Sequence, residues 1–273
     1  MSKVILITGS TDGIGKITAL KLAKKGYSIF LHGRDANKLT NVISEIRIES
    51  KNQNVNGVVA DFANLDSVNQ MAVQLKNTLG NIDVLINNAG VYKSKKPKND
   101  NGIDMRFAVN YIAPYVLTNA LLPLLKNSSD PRIINLSSAA QSSVILESLS
   151  GKKLLTEQNA YAQSKLALTM WSFHLAQLYP DITVIAVNPG SLLNTNMVKE
   201  AFGRFWSSAE KGGNILYDLA ISNEYATQSG KYFDNDKGEL KGAFGEAHPD
   251  AYDSLLISKL IDKTESVIAE FAG

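Results

Sequence analysis

Short apolar runs alternate with amphipathic stretches almost from end to end of this 273-residue chain, and that alternation leaves few folds open. Val4–Thr8, Ser28–His32, Val55–Ala60, Ile82–Asn87, Arg132–Leu136 and Thr183–Asn188 read as strands. Between them, Ile14–Lys25, Ala36–Glu49, Ser67–Leu79, Ile103–Leu125 and Asn159–Leu178 repeat apolar residues at helical spacing. The strand runs are mostly unbroken Val, Ile and Leu, which is expected when a sheet is covered on both faces. Strand followed by helix throughout predicts an α/β chain with a parallel, doubly wound sheet and right-handed crossovers. Counting the late run Ser229–Phe233, the sheet has about seven strands flanked by helices on both faces. No linker or repeat divides the chain, so residues 1–273 read as one domain, with Ser191–Ser222 its least regular part.

Composition narrows what such a domain binds. Charges nearly balance, 28 Lys+Arg against 26 Asp+Glu, and are spread along the chain, which gives no electrostatic case for nucleic acid or an anionic membrane. Without cysteine there is neither a disulfide framework nor a thiolate zinc site, and His32, His174 and His248 are too scattered to suggest any other metal site. Met-Ser-Lys runs straight into the first strand, too short for a signal peptide, and no apolar run approaches membrane-spanning length. The expectation is a cytoplasmic protein with no membrane segment.

Open parallel sheets bind ligands at the carboxyl ends of their strands, where strand order reverses. The unusual residues of this chain cluster there. Thr8-Gly9-Ser10-Thr11-Asp12-Gly13-Ile14-Gly15 joins the first strand to the first helix; its glycines let backbone approach a pyrophosphate, and the helix start offers free N–H donors. A P-loop does not fit, because Ser10 stands where its first glycine belongs and Ile17 where Ser or Thr would bind magnesium. At the end of the second strand, Gly33 leaves room and Arg34 supplies the charge for a 2′-phosphate, favouring NADP(H), with NAD(H) possible. Asp35 is the natural N-cap of the next helix. Asp61 and Phe62 follow the third strand, and Asn87-Asn88-Ala89-Gly90 the fourth, where small residues allow close approach and the asparagines can tie strand ends together.

Tyr161 and Lys165 stand four apart at the start of a helical stretch and so share a face. A phenol with an ordinary pKa near 10 can exchange protons near neutrality if a fixed ammonium lowers that value, at a cost of about 3–4 kcal/mol. Upstream, Ser138 follows the fifth strand and Asn110 lies in mid-helix, where asparagine has poor propensity. Ser138 can donate to a substrate oxygen, Asn110 can hold a water that relays protons to Lys165, and Tyr161 can pass a proton to and from that oxygen. Pro189-Gly190 follows the sixth strand, with Thr195 beyond.

Taken in order, these motifs resemble the short-chain dehydrogenase/reductase family over nearly the whole chain. Thr8, Gly9, Gly13 and Gly15 match its TGxxxGxG loop; Asn87–Gly90 match NNAG; Asn110, Ser138, Tyr161 and Lys165 match its catalytic set; Pro189-Gly190 matches the turn beside the nicotinamide. The resemblance implies hydride transfer between the cofactor and a carbonyl or alcohol substrate, Lys165 bonded to the nicotinamide ribose, and Thr195 near the carboxamide. It also implies a homodimer or homotetramer paired through the long central helices.

Several points stay open in the sequence. Ser137 neighbours Ser138, so which hydroxyl faces the substrate depends on pleat direction; the family motif favours Ser138. Glu147–Thr156 lengthens the connection to Tyr161 and, like Tyr161–Leu166 and Ser229–Phe233, resembles retinol-dehydrogenase-like members. Thr195 comes one residue later than the family's usual spacing. The aromatic-rich segment 191–222 is expected to cover the substrate, with a packed helix pair or an oligomer contact as alternatives. Lys93–Lys98 reads as a solvated loop, and Pro249–Phe271 as an amphipathic helix on one sheet face. A nucleotide-sugar epimerase and a non-catalytic NADP(H)-binding regulator are the rival functions.

Overall fold

The computed structural model describes residues 2–238 and 241–271. Its strands are β1 (Val4–Ile7), β2 (Ser28–Gly33), β3 (Val55–Val59), β4 (Val84–Asn87), β5 (Arg132–Leu136), β6 (Thr183–Asn188), β7 (Lys231–Asp234) and β8 (Ala243–Gly245). They form one sheet in the order β3-β2-β1-β4-β5-β6-β7-β8. Seven strands run parallel; β8 pairs antiparallel with β7, Phe233 opposite Phe244. This eighth strand has only three residues, too few to show a period. Order reverses between β1 and β4, and a sheet of this kind holds its ligand crevice at the carboxyl ends of those strands.

Pleating sorts the apolar runs into two layers. Ile5 and Ile7 face the layer holding α1 (Gly13–Lys24), α2 (Ala36–Ser50) and residues of Ala209–Ile221; Leu6 faces the layer that holds α3 (Leu65–Thr78). Asp12 caps α1, and Asp35 caps α2 through Lys38 N–H at 2.9 Å, as its place before that helix predicts.

The long central helix departs from the simple expectation. It begins as α4 (Met105–Phe107), widens into a π turn over Ala108–Ile112 and continues as α5 (Ala113–Lys126). Contrary to the expectation that no apolar run has spanning length, Met105–Lys126 is long and apolar enough to cross a membrane by composition, with mean hydropathy 1.3; it is also 72% buried inside the fold. After β5 come a short α6 (Leu146–Leu149) and α7 (Glu157–Leu178), and after β6 come α8 (Asn196–Phe202) and α9 (Ala209–Ile221). The tail forms a 3-10 turn, Pro249–Tyr252, and α10 (Ser254–Phe271).

Contrary to the expectation of a sheet-facing tail, α10 rests on helices. Thr264 bonds the Tyr111 hydroxyl at 2.8 Å, Glu265 accepts from Tyr115, and Ile257, Leu260 and Val267 are buried in the same apolar cluster as Trp171 of α7. The sheet face here is already filled by α5 and α7, so the apolar stripe of α10 finds its cover one layer further out.

Candidate active site

Side-chain hydrogen bonds lock together the strand ends at the switch point. Thr8 Oγ1 accepts from the N–H groups of Asn88 and Ala89, both at 3.0 Å, while Asn88 Nδ2 donates to the Thr8 and Gly9 carbonyls at 2.7 and 2.8 Å. Asn87 Nδ2 donates to Asn135 Oδ1 at 2.8 Å and to Thr118, joining β4 to β5 and α5. Such a buried polar network holds geometry because every loose end is costly. The glycines are held to their size by the same closeness. Gly9 has φ +61°, and a Cβ there would sit 2.7 Å from Ala89 Cα; a Cβ on Gly15 would run into Asn88 Nδ2.

This cradle fits a dinucleotide: a loop without side-chain bulk, opening onto the N-terminus of a 12-residue helix. Thr11 lies over Gly33, whose lack of a side chain makes the room. Arg34 is exposed at the end of β2, and Asp61 is exposed after β3, where its carboxylate accepts from Ala63 N–H. Two loop residues turn away. Ser10 is fully buried, its hydroxyl donating to the Ile7 carbonyl at 2.8 Å, and Ile14 packs toward Gly212 of α9. Phe62 is buried against His32. Asp12 Oδ2 accepts from Lys38 Nζ and from Asn196 Nδ2, each at 2.8 Å, so it reaches across to the start of α8. Burial pushes its carboxyl up, but the Lys38, Gly13 and Asn196 hydrogen bonds outweigh it and hold the group below the usual range.

Further along the crevice the expected catalytic set converges. Ser137 points inward, its hydroxyl bonded to Thr169 Oγ1 at 2.6 Å and to the Lys165 carbonyl, which leaves Ser138 facing the site on the side of the Tyr161 hydroxyl. Lys165 is 5% exposed; its ammonium donates to the Leu136 carbonyl at 2.6 Å and lies 5.6 Å from the Tyr161 ring centroid. Burial lowers its pKa to about 8. Burial raises that of Tyr161, only partly offset by the nearby Ser138 hydroxyl. Desolvation of the phenolate thus dominates over the lowering expected from Lys165, whose ammonium is turned to a strand end.

Asn110 sits on the π turn, a kind of bulge frequent at functional sites. Its Oδ1 accepts from Val91 N–H at 2.7 Å, and its Nδ2 donates to the Val91 carbonyl and to Ser164 Oγ, both at 3.0 Å. The carboxamide thus fixes the chain beyond Gly90. Gly90 is the point where Asn110, Lys165 and Met197 come close.

The segment 191–222 divides. Ala209–Ile221 packs Ile215, Leu216 and Leu219 into the core beside α1, whereas α8 reaches the site: Met197 approaches Gly90, and the Phe202 ring lies tilted against Tyr92 with centroids 5.1 Å apart, as Tyr92 does against Tyr161 at 4.9 Å. Pro189-Gly190 is clamped from β7's exit. Asn235 Nδ2 donates to the Pro189 carbonyl, and Asp236 accepts from Ser191 N–H and Oγ, Asn188 Nδ2 and Lys211 Nζ. Leu192, at φ +44°, absorbs the extra residue of this loop in left-handed backbone. Thr195 lies near Gly13 and caps α8 by accepting from Val198 N–H. Tyr92, Lys38 and Asp236 escaped the sequence reading. Tyr92 adjoins the Asn87–Gly90 motif closely enough to have been suspected; nothing local marks the others.

A switch-point crevice with a glycine cradle and a Ser–Tyr–Lys cluster defines a nucleotide-dependent α/β oxidoreductase. Residues 3–204 match the family model described as short chain dehydrogenase, and the chain belongs to that family. It is 34% identical to retinol dehydrogenase 13 of Homo sapiens over 251 residues, covering 85% of this chain and 76% of that protein. It is 35% identical to polyprenol dehydrogenase of Homo sapiens over 256 residues, covering 86% and 77%. Among solved structures it resembles a short chain dehydrogenase of Escherichia coli complexed with NADPH, with TM-score 0.70, 27% identity, and 86% and 97% of the two chains covered. One of Shigella flexneri complexed with NADP gives TM-score 0.69 at 27% identity over 86% and 97%.

Proposed function

We propose that this chain is an NADP(H)-dependent oxidoreductase that interconverts a carbonyl and an alcohol on a small-to-medium apolar substrate. The observation that carries the proposal is the convergence of Tyr161, Ser138 and the buried Lys165 ammonium, 5.6 Å from the Tyr161 ring centroid, at the end of a crevice that begins with the glycine loop. Bound cofactor would supply or accept hydride at the nicotinamide C4. Thr8, Gly9, Thr11, Asp12, Gly13 and Gly15 cradle its pyrophosphate, Arg34 meets the 2′-phosphate with Lys38 as a second cation at that edge, and Asp61 flanks the adenine side. Asn88, Ala89, Gly90, Pro189, Gly190 and Thr195 border the nicotinamide side. The NADP- and NADPH-bound relatives support this choice of cofactor.

In reduction, negative charge develops on the substrate oxygen. Ser138 donates a hydrogen bond to that oxygen, and Tyr161 gives it a proton. A phenol held protonated by burial is ready for that direction. In oxidation Tyr161 takes the proton back. Lys165 keeps a positive charge near the phenol, and Asn110 positions the chain beyond Gly90. Tyr92, Phe202 and Met197 make an apolar wall, which supports an apolar substrate, and α8 covers it. The reading places the chain in the cytoplasm, with Met105–Lys126 a core helix. Pairing into a homodimer or homotetramer would use surfaces other than the outer sides of α5 and α7 that α10 covers.

Tyr161→Phe tests the assignment. With NADPH and a panel of ketones and aldehydes, the variant is expected to bind cofactor as the parent does and to lose about 10³-fold or more in turnover. Retained turnover, or a parent protein that turns over no carbonyl with either cofactor, would sink it. Arg34→Ala should weaken NADPH about tenfold, roughly 1.4 kcal/mol, and leave NADH unchanged.

A further inference from the structure

His32 stands outside every motif above, yet three segments of the dinucleotide crevice meet on its ring. It is 3% exposed in β2. Its Nδ1 lies 3.1 Å from the Gly9 nitrogen, its Nε2 lies 3.0 Å from the Ala60 carbonyl, and the ring stacks on Phe62 with centroids 4.3 Å apart at 22°. The partners decide the tautomer. A peptide N–H can only donate, so Nδ1 offers its lone pair; a carbonyl can only accept, so Nε2 carries the proton. A second proton would set Nδ1–H against Gly9 N–H. Burial also pushes the imidazole down to about 4, in keeping with a neutral ring.

Neither partner belongs to a regular element. Gly9 is the left-handed first glycine of the loop, and Ala60 begins the turn carrying Asp61. The backbone of His32 adds to the join, its N–H donating to Ser10 Oγ and its carbonyl accepting from Ser10 N–H, both at 3.0 Å. A core histidine needed only for packing would find its partners within strands or helices. Here the ring spans the gap between the loop that would hold pyrophosphate and the turn that would flank adenine.

We propose that His32, as the neutral Nε2–H tautomer, is a positioning residue for the cofactor, fixing the glycine loop at a set distance from the turn after β3. The proposal rests on the dinucleotide reading of the crevice. It touches no reacting atom, so its effect falls on cofactor affinity and not on the chemical step.

Two substitutions separate its bonds. In His32→Asn the side-chain oxygen lies where Nδ1 was and can still accept from Gly9, but nothing reaches Ala60; in His32→Gln the amide nitrogen reaches Ala60 and nothing accepts from Gly9. The readouts are NADPH titration by fluorescence, steady-state kinetics at saturating NADPH, and hydrogen exchange at the Gly9 amide. The expected result is NADPH affinity at least about 10-fold weaker than the parent in both variants, since each breaks the span at one end, kcat near parental in both, and Gly9 protection lost only in His32→Gln. Equal affinities in the two variants and the parent, with the parent binding NADPH normally, would overturn the positioning role alone. A parent that binds neither NADPH nor NADH overturns the dinucleotide reading and this role with it. Should both variants fail to fold, imidazole ¹⁵N shifts of the parent decide: a proton on Nε2 near neutral pH upholds the proposal, and a proton on Nδ1 overturns it.

Discussion

Lys165 has to keep a charge in a place that disfavours it. Its pKa of about 8 lies below the ordinary lysine value of 10.5, so between those values the unfolded chain binds more protons than the folded one. Stability therefore rises as pH climbs through that window, and below it the buried ammonium costs about 3 kcal/mol. Lys165→Met should be at least as stable as the parent at pH 7 in denaturant titrations. That advantage should shrink toward pH 10.5, while turnover is lost at every pH. In the parent, kcat/KM for carbonyl reduction should fall as pH rises past about 8, where Lys165 loses its proton. The two serines divide in the same way. Ser138→Ala should cost about 10²-fold in kcat with little change in melting temperature. Ser137→Ala should keep turnover and lose about 1 kcal/mol of stability, since it removes only buried hydrogen bonds to α7.

The loop after β6 owes its shape to an element distant in the chain. Asp236, in the turn after β7, gathers Ser191, Asn188 and Lys211 around one carboxylate. Burial alone would raise its pKa, but the bonds from Ser191, Asn188 and Lys211 hold it below the usual range. A depressed carboxylate stabilises above its unfolded pKa and loses that contribution as pH falls through the folded value. The clamp should hold at neutral pH and open only in acid. Asp236→Ala is expected to raise the KM for NADPH several-fold and to expose 191–206 to limited proteolysis, with kcat at saturation changed less. Unaltered KM and cleavage pattern would mean that the Pro189-Gly190 turn holds its shape without the clamp. The π turn works similarly within a single helix: one wide turn brings the Asn110 carboxamide onto Val91 and Ser164.

The whole molecule is a three-layer sandwich with a further helix on one side. α10 buries Ile257, Leu260 and Val267, worth roughly 1.5–3 kcal/mol each. That sum is comparable with the 5–15 kcal/mol by which domains are usually stable. A chain ending at Asp253 should consequently fail to fold or should aggregate in size-exclusion chromatography. Leu260→Ala should lower stability by about 2–5 kcal/mol and leave the KM values near parental. If the truncated chain melted like the parent, α10 would be an accessory and not part of the core.

Short-range pattern was enough for much of this protein. Unbroken Val/Ile/Leu runs, their alternation with helical periods, and Gly, Asn, Ser and Tyr at strand ends determined the parallel sheet, its switch-point crevice and which residues gather there, because a strand's period and a tight turn's demand for glycine act between neighbours in sequence. Other features were settled only when distant segments met. Pleat direction set against α7 turned Ser137 inward and left Ser138 in the site. Packing drew Ser10 and α9 into the core and left α8 over Tyr161. A sheet face already filled by α5 and α7 sent α10 one layer outward. Burial, which no sequence pattern measures, raised Tyr161 where a lysine four residues away had suggested the opposite. Contacts with Gly9 and Ala60, far apart in the chain, likewise set the His32 ring between two loops.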